Sequence, residues 1–443
     1  MKTLKSGAGN GASVSKFLNR KATVGIVGLG YVGVPLAVEF GNAGYKVIGF
    51  DTLESKVRRI NAGEDVILDV EPGSVRTLRD KKKLSATSDF KKIRECDAVI
   101  ICVPTPLDDH KEPDLHPVRA ATHSIAPHVK KGQVIVLEST TYPGTTREVL
   151  QPILEAGGMK VGRDFHLGFS PERVDPGNAV YKTKNTPKIV SGITPKCLAL
   201  IEGLYSGVID QLVTVSSPET AETAKLLENI FRNVNIALVN ELMLLSDRMG
   251  IDIWEVIDAA ATKPFGFTPF YPGPGVGGHC IPIDPFYLSW KAKEFDFFTN
   301  FIMLSAEVNE NIPYYVVEKT AREVNLRLGR PIKGMTIMII GVAFKKNVDD
   351  ARNTPAEKIM RKLKDFGARV IYHDPWIPEF KLDGVVLKST PLTSAAALKA
   401  DVAIIHTDHI DLDMALILKK FKLVIDTRNA TKKFGRRSNV VKI

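Results

Sequence analysis

The stretch from Ala22 to Asp51, "ATVGIVGLGYVGVPLAVEFGNAGYKVIGFD", decides the fold. An apolar strand runs into Gly28, Gly30 and Gly33, a GxGxxG turn, and a run of helical period follows through Phe40. A second apolar strand then ends at Asp51. Glycines at these spacings permit a tight turn, close approach of backbone to a pyrophosphate, and close helix packing. An acid at the end of the second strand accepts hydrogen bonds from an adenosine ribose. The pattern predicts a Rossmann dinucleotide site. A carboxylate there also repels a 2′-phosphate, which favours NAD over NADP.

Working outward, further strands are predicted at "DAVIICVPTP", "QVIVLEST" and "HLGFSPERV". Ligands of an open α/β sheet sit at the carboxyl ends of its strands, so Thr105, Thr141 and Glu172 are candidate site residues by position, with plain turn chemistry as the alternative. From Ser216 to Met249 the pattern changes to a long helix, begun by Ser-Pro and closed by Gly250. Lys225, Asn229 and Asn233 recur every four residues along it and so share a face, either solvent-facing or functional.

Beyond the helix lies "PGPGVGGHCIPIDP", Pro272 to Pro285, which sets Cys280 in a glycine-rich loop four residues ahead of Asp284. A second α/β unit begins near Gly334, with strands predicted in "GMTIMIIGVAF", "ARVIYHDP", "DVAIIHTD" and "KLVID". It lacks a complete GxGxxG. Lys345, Lys346 and Arg352 follow its first strand, a basic end suited to a second nucleotide or simply a solvated loop.

Composition sets bounds on this reading. At 443 residues the chain exceeds the roughly 250–300 residues at which single cores stop growing. The division expected is a flexible basic tail (1–21), an NAD-binding Rossmann domain (22–214), a helical central domain with the cysteine loop (215–328) and a second nucleotide-binding, Rossmann-like domain (329–443). The fold class is α/β: two Rossmann-like parallel-sheet domains joined by a long helix and a helical centre. No apolar run reaches the roughly 20 residues of a membrane span, so no membrane insertion is expected. The net charge of +10 is spread along the chain, so a nucleic-acid partner is not expected. Cys96, Cys102, Cys197 and Cys280 are scattered without metal-ligand spacing, which fits a reduced, cytoplasmic protein and no metal.

The ordered segments "GLGYVG", "VPTPL", "STTYPGTT", "SPERVDPG", "AKLLENIFRNVNIALVNE", "PGPGVGGHCIPIDP" and "GVAFKKNVDDARNTPA" resemble the UDP-glucose/GDP-mannose dehydrogenase family. The resemblance implies oxidation of a UDP-sugar primary alcohol to the uronic acid by NAD, through a thioester on Cys280. It casts Lys225 and Asn229 as stabilisers of the substrate oxyanion, Asp284 as the proton-handling group, and Thr141 and Glu172 as positioning the hydrolytic water. Arg173, Phe270, Tyr271, Gly273, Gly277 and Lys345 match substrate contacts. Tyr31, Val32, Lys56, Thr105, Thr141 and Arg352 join Gly28, Gly30, Gly33 and Asp51 at the cofactor. A homodimer or higher homo-oligomer, paired along the long helix, is also implied, as is a place in polysaccharide or glycan precursor synthesis.

The loop from Lys263 onward is most similar to members acting on acetamido sugars, so UDP-N-acetylglucosamine is the substrate implied. UDP-glucose and UDP-N-acetylmannosamine are the alternatives. The chain departs from the pattern at Pro176, where many members carry a second acid, at Ile283, where a base is common, and at Lys263 and Pro264, near the place of a subunit-bridging arginine. Two rivals are weighed: a β-hydroxyacid dehydrogenase, which needs neither Cys280 nor a second α/β domain, and a non-catalytic sensor of NAD or nucleotide sugar, which would not need Cys280, Lys225 or Asp284.

Overall fold

The structure, a computed structural model, describes residues 11–443 apart from 68, 69, 176 and 179. The chain divides into two compact units. The first runs to Glu228 and takes in Phe286–Phe295; the second comprises Asn229–Pro285 and Asp296–Ile443. The residues assigned from sequence to a central domain are thus shared between the two. Among the described residues no helix is long and apolar enough to cross a membrane.

The first unit is built on β1 (Thr23–Val27), β2 (Lys46–Phe50), β3 (Leu84–Thr87), β4 (Ala98–Ile101), β5 (Val134–Leu137) and β6 (His166–Phe169). They form one parallel sheet in the order β3-β2-β1-β4-β5-β6. The central strands β4 and β5 are apolar throughout and buried at every position, as strands with helices on both faces must be. The strand order reverses beside β1, and Val27 pairs with both Phe50 and Ile101. That register brings Gly28, Asp51 and Cys102 to one end of the sheet, the crevice where such folds bind ligands. A short parallel ribbon, β7 (Lys188–Val190) and β8 (Leu212–Thr214), also belongs to this unit.

The expectation of a flexible tail over residues 1–21 is corrected over its second half; residues 1–10 lie outside the described residues. Gly11–Leu18 is a helix. Phe17 is buried in the first core, its carbonyl accepts a 2.8 Å hydrogen bond from the Tyr45 hydroxyl, and Lys16 pairs with Asp97 at 2.7 Å. Glycine and serine are frequent there, but Val14 and Phe17 stand one helical turn apart and give the segment an apolar edge to dock.

The second unit is built on β9 (Thr336–Ile340), β10 (Arg369–His373), a hairpin of β11 (Glu379–Leu382) and β12 (Val385–Lys388), β13 (Val402–Ile405), β14 (Leu423–Asp426) and β15 (Val440–Lys442). Its parallel sheet has the order β10-β9-β13-β14-β15. The four predicted strands are β9, β10, β13 and β14. The hairpin and the three-residue β15 were not anticipated, although Asp383-Gly384, both at positive φ, is a strong hairpin turn signal.

The two sheets share a closing device. Gly28 at φ +93° and Gly341 at φ +77° follow the first strand of each, where a Cβ would lie 2.7 Å from the Cys102 carbonyl oxygen or 2.4 Å from that of Thr407. Asp51 accepts the Leu29 amide at 3.0 Å, and Asp374 accepts the amides of Val342 and Ala343 at 2.7 and 3.0 Å.

Phe17→Ala is expected to lower the free energy of unfolding by about 3 kcal/mol, the usual cost of emptying a buried aromatic site. Urea denaturation checks this, and a change below about 0.5 kcal/mol would return the segment to a loose tail.

Candidate active site

The three glycines of the first turn do different work. Gly28 supplies the positive φ. Gly33 begins the helix Gly33–Asn42, and a Cβ there would lie 1.9 Å from the Gly28 carbonyl oxygen, so only glycine lets this helix start so close to the strand. Gly30 meets no such obstacle: among the described residues, none beyond its two chain neighbours would come within 4 Å of a Cβ placed on it. Its smallness serves whatever approaches the turn from outside, which is where a dinucleotide pyrophosphate lies in this fold. Tyr31 is exposed beside it, and Val32 precedes the helix.

Asp51 stands at the end of β2 with its carboxylate partly used. Oδ2 accepts from Lys56 Nζ at 2.9 Å as well as from Leu29, and Oδ1 accepts the Leu53 amide at 2.9 Å. Burial works against its ionisation, but Lys56 and the two amides outweigh it and hold the carboxyl below its ordinary value. Lys56 and Asp51, both expected at the cofactor, are therefore a preformed pair. The turn and its acid fit NAD.

At the carboxyl ends of β4, β5 and β6 stand the other candidates of the first unit. Thr105 is buried, and Thr141 is fully buried with no hydrogen-bond partner for its hydroxyl among the described residues. An orphaned hydroxyl inside a protein is costly and calls for a physical reason, of which a bound ligand or water is one. Glu172 Oε1 accepts the amides of Arg173 and Val174 at 2.7 Å each, while Oε2 lies 3.8 Å from Lys188 Nζ. Arg173 pairs with Glu228 at 2.7 Å and donates to the Pro187 carbonyl at 2.6 Å.

The long helix, Pro218–Met249, carries buried polar groups: Lys225 is 8% exposed, Asn229 3% and Asn233 2%. The solvent-facing alternative for this stripe is thereby excluded. Sequence reading missed Glu222, one turn before Lys225. It accepts from the amides of Gly144 and Thr146 at 2.6 and 2.9 Å and from the Thr146 hydroxyl at 2.7 Å, tying the Lys225 helix to the loop that carries Thr141. Burial pushes its carboxyl up to about 7 against those three donors.

In the second unit, Asn229 Nδ2 donates to Asp284 Oδ2 at 2.5 Å, so two of the predicted residues meet directly. Asp284 opens the helix Asp284–Ala292, and its amide donates to the Cys280 carbonyl at 2.9 Å. Cys280 is exposed, whereas Cys96, Cys102 and Cys197 are buried; burial pushes the Cys96 thiol up to about 12 and that of Cys102 well above its ordinary value.

The glycines of the loop are close-packed. A Cβ on Gly277 would lie 2.9 Å from both Phe344 and Pro355, and one on Gly273 would lie 2.5 Å from Arg428 Nη1. The Gly278 amide donates to the Arg352 carbonyl at 3.0 Å, and the Arg352 guanidinium is fastened to Asp350 at 2.6 Å. Phe270 stands edge-on to Phe231, and Tyr271 stacks on Trp254 and donates to Asp258 at 2.9 Å. Lys345 is half-buried at the carboxyl end of β9. Arg428, after β14, was missed; a basic residue two past a strand-ending Asp426 was its only sequence signal. Of the three departures, Ile283 is buried, Lys263 and Pro264 are exposed, and Pro176 lies outside the described residues.

Comparison with known proteins places the chain in a family. Models of the UDP-glucose/GDP-mannose dehydrogenase family match its NAD binding domain at residues 22–209, its central domain at 219–311 and its UDP binding domain at 338–433. A UDP-N-acetyl-D-glucosamine 6-dehydrogenase of Pseudomonas aeruginosa is 40% identical, over 80% of this chain and 83% of its own length. A UDP-N-acetyl-D-mannosamine dehydrogenase of Methanococcus maripaludis is 33% identical, over 91% and 92%. The solved structure of a UDP-D-ManNAc dehydrogenase from Pyrococcus horikoshii superposes with a TM-score of 0.86 at 30% identity, covering 95% of this chain and 98% of that one.

Because the Glu222 carboxyl lies above its unfolded value of 4.5, it stabilises the fold fully below that pH, and the contribution is lost as pH rises through about 7. Glu222→Gln has no such slope. The stability of the variant relative to the unaltered chain is expected to improve between pH 5 and 8, by an amount on the order of 3 kcal/mol. Denaturant midpoints at the two pH values check the sign.

Proposed function

This chain belongs to the UDP-glucose/GDP-mannose dehydrogenase family and is an NAD-dependent nucleotide-sugar dehydrogenase, and we propose that it oxidises UDP-N-acetylglucosamine to the uronic acid through a thioester on Cys280. The observation that carries the reading is the exposure of Cys280 alone among four cysteines, in a loop whose carbonyl caps the helix that begins at Asp284. The choice of sugar is supported by the 40% identity to the Pseudomonas enzyme named for that substrate.

The chemistry requires a nucleophile of this kind. NAD⁺, when bound, accepts a hydride from the sugar carbon in each of two oxidations. The first leaves an aldehyde, which cannot itself lose a second hydride. The Cys280 thiolate adds to the aldehyde carbon, giving a thiohemiacetal whose oxidation yields the thioester. Water then adds to the thioester carbon, the C–S bond breaks, and the acid and thiol are released. Overall, alcohol and water become carboxylate, two hydrides and three protons.

Lys225, buried in the first unit, stabilises the oxyanion. Asn229 donates to the same oxygen with an amide that Asp284 orients, and Asp284 carries the proton during hydrolysis. Thr141 and Glu172 orient the attacking water. The turn shaped by Gly28 and Gly33 receives the pyrophosphate at Gly30, and Asp51 takes the ribose. Phe270, Tyr271, Gly273, Gly277 and Lys345 hold the UDP-sugar, with Arg173 and Arg352 as supporting contacts.

We further infer a homodimer. Phe231, Leu238, Leu242, Leu245 and Met249 form an exposed apolar stripe along the long helix. A second copy of the same helix covers such a stripe by symmetry, and a face of this kind left in water is an aggregation liability.

A substrate panel tests the reaction. Two NADH per uronic acid and the highest kcat/KM with UDP-N-acetylglucosamine are expected; a preference for UDP-glucose or UDP-N-acetylmannosamine would overturn the sugar. Cys280→Ser is expected to abolish uronic acid formation while NAD and UDP-sugar binding persist by calorimetry, and Cys102→Ala to keep turnover per folded molecule. Light scattering tests the dimer: the unaltered chain is expected at twice its monomer mass, and Leu238→Asp with Leu245→Asp at the monomer mass.

A further inference from the structure

Lys188 opens β7 within the first unit, its side chain 5% exposed beside a fully buried Glu138. Its ammonium donates to Glu138 Oε2 at 3.0 Å and to the Pro171 carbonyl at 3.3 Å, and lies 3.8 Å from Glu172 Oε2. Glu138 also accepts a short hydrogen bond from the Tyr205 hydroxyl, and the ammonium stands 5.3 Å over the Tyr205 ring. Burial works against the charge on Lys188, but the carboxylates on either side hold it above its ordinary value.

Stability gives no reason for this arrangement. Removing ions from water costs several kcal/mol each, and apolar side chains of similar volume often serve a core as well or better. Position gives one. Glu138 follows β5 and Glu172 lies just beyond β6, both at the carboxyl edge of the parallel sheet. The two residues Pro187 and Lys188 hold the three residues Pro171, Glu172 and Arg173, since Arg173 donates to the Pro187 carbonyl at 2.6 Å. Glu172 Oε1 is already fixed by two backbone amides, so the ammonium acts on the remaining freedom of Oε2.

We propose that Lys188 is a positioning residue: anchored by Glu138 and Tyr205, it sets the orientation of the Glu172 carboxylate for thioester hydrolysis. The proposal rests on the role given to Glu172 above. Lys188 contacts Glu172, and its effect on turnover passes through that residue.

The test compares Lys188→Met, Glu172→Gln and the double variant in the full-length protein, with UDP-N-acetylglucosamine and NAD⁺ as probes. Steady-state kinetics are paired with intact-protein mass spectrometry for the sugar adduct on Cys280. For Lys188→Met, kcat is expected to fall about tenfold or more with a much smaller change in KM, and the adduct-bearing fraction to rise. Lys188→Arg is expected to recover part of kcat. The double variant is expected to hydrolyse the adduct no more slowly than Glu172→Gln, because the two changes remove one function.

If Glu172→Gln accumulates adduct and Lys188→Met does not, the Lys188 proposal is overturned while the role of Glu172 stands. If Glu172→Gln accumulates none, both fall. Additive losses in the double variant also overturn the proposal. Should Lys188→Met not fold, Glu138→Gln carries the test: it keeps an acceptor for Lys188 and Tyr205 but weakens the anchor. Adduct accumulation at lower amplitude then supports the proposal, and none overturns it.

Discussion

A carboxylate at the end of the second strand of each sheet pins the turn that follows the first strand, and so fixes the carboxyl end of each sheet around its first strand. In the first unit Asp51 does this for Leu29; in the second Asp374 does it for Val342 and Ala343. Each turn begins at a glycine of positive φ packed against a carbonyl oxygen of the neighbouring strand segment, so neither accepts a side chain there. The two acids nevertheless differ in what they can offer a ligand. Asp51 remains partly accessible beside Lys56, whereas Asp374 is 2% exposed and meets His409 Nε2 at 3.3 Å, with Trp376 stacked on that imidazole. The same fold thus yields one sheet end at which the acid keeps some exposure and another in which the acid is sealed.

The long helix is the second organising feature, and its polarity is unusual for a surface helix. Glu222, Lys225, Asn229, Asn233 and Asn240 are all buried, while Phe231, Leu238, Leu242, Leu245 and Met249 are exposed. Buried amides along it are satisfied in a directional chain. Asn233 donates to Ser305, Asn309 donates to Asn233, Asn240 donates to Asn309, and the Gly273 amide donates to Asn240. Each amide's orientation is dictated by the next, which gives a polar interior a single arrangement. The chain ends on a glycine of the cysteine loop, so the packing of two helices sets the backbone of that loop.

Much of this was legible in the sequence. GxGxxG between a strand and a helix, with Asp51 closing the second strand, specified the first sheet and its nucleotide end, because glycine conformation and strand burial are local demands that leave a local trace. The period of the long helix and the punctuation of the cysteine loop were equally plain. What composition obscured was the helix Gly11–Leu18, where two apolar residues mattered more than the surrounding glycine and serine.

Local sequence therefore sufficed to specify the individual strands, the long helix, the glycine turn and the identity of the conspicuous thiol, since each depends on neighbours within a few residues. Only the tertiary structure decided that Cys280 is exposed while its three counterparts are buried, that Asn229 meets Asp284, and that Glu138, Lys188 and Tyr205 surround the approach to Glu172. Those pairings join residues 55, 50 and 67 positions apart. The reason is physical: an isolated acid or lysine in a chain looks like a solvated surface group, and its cost and purpose become visible only when folding removes the water and supplies a partner.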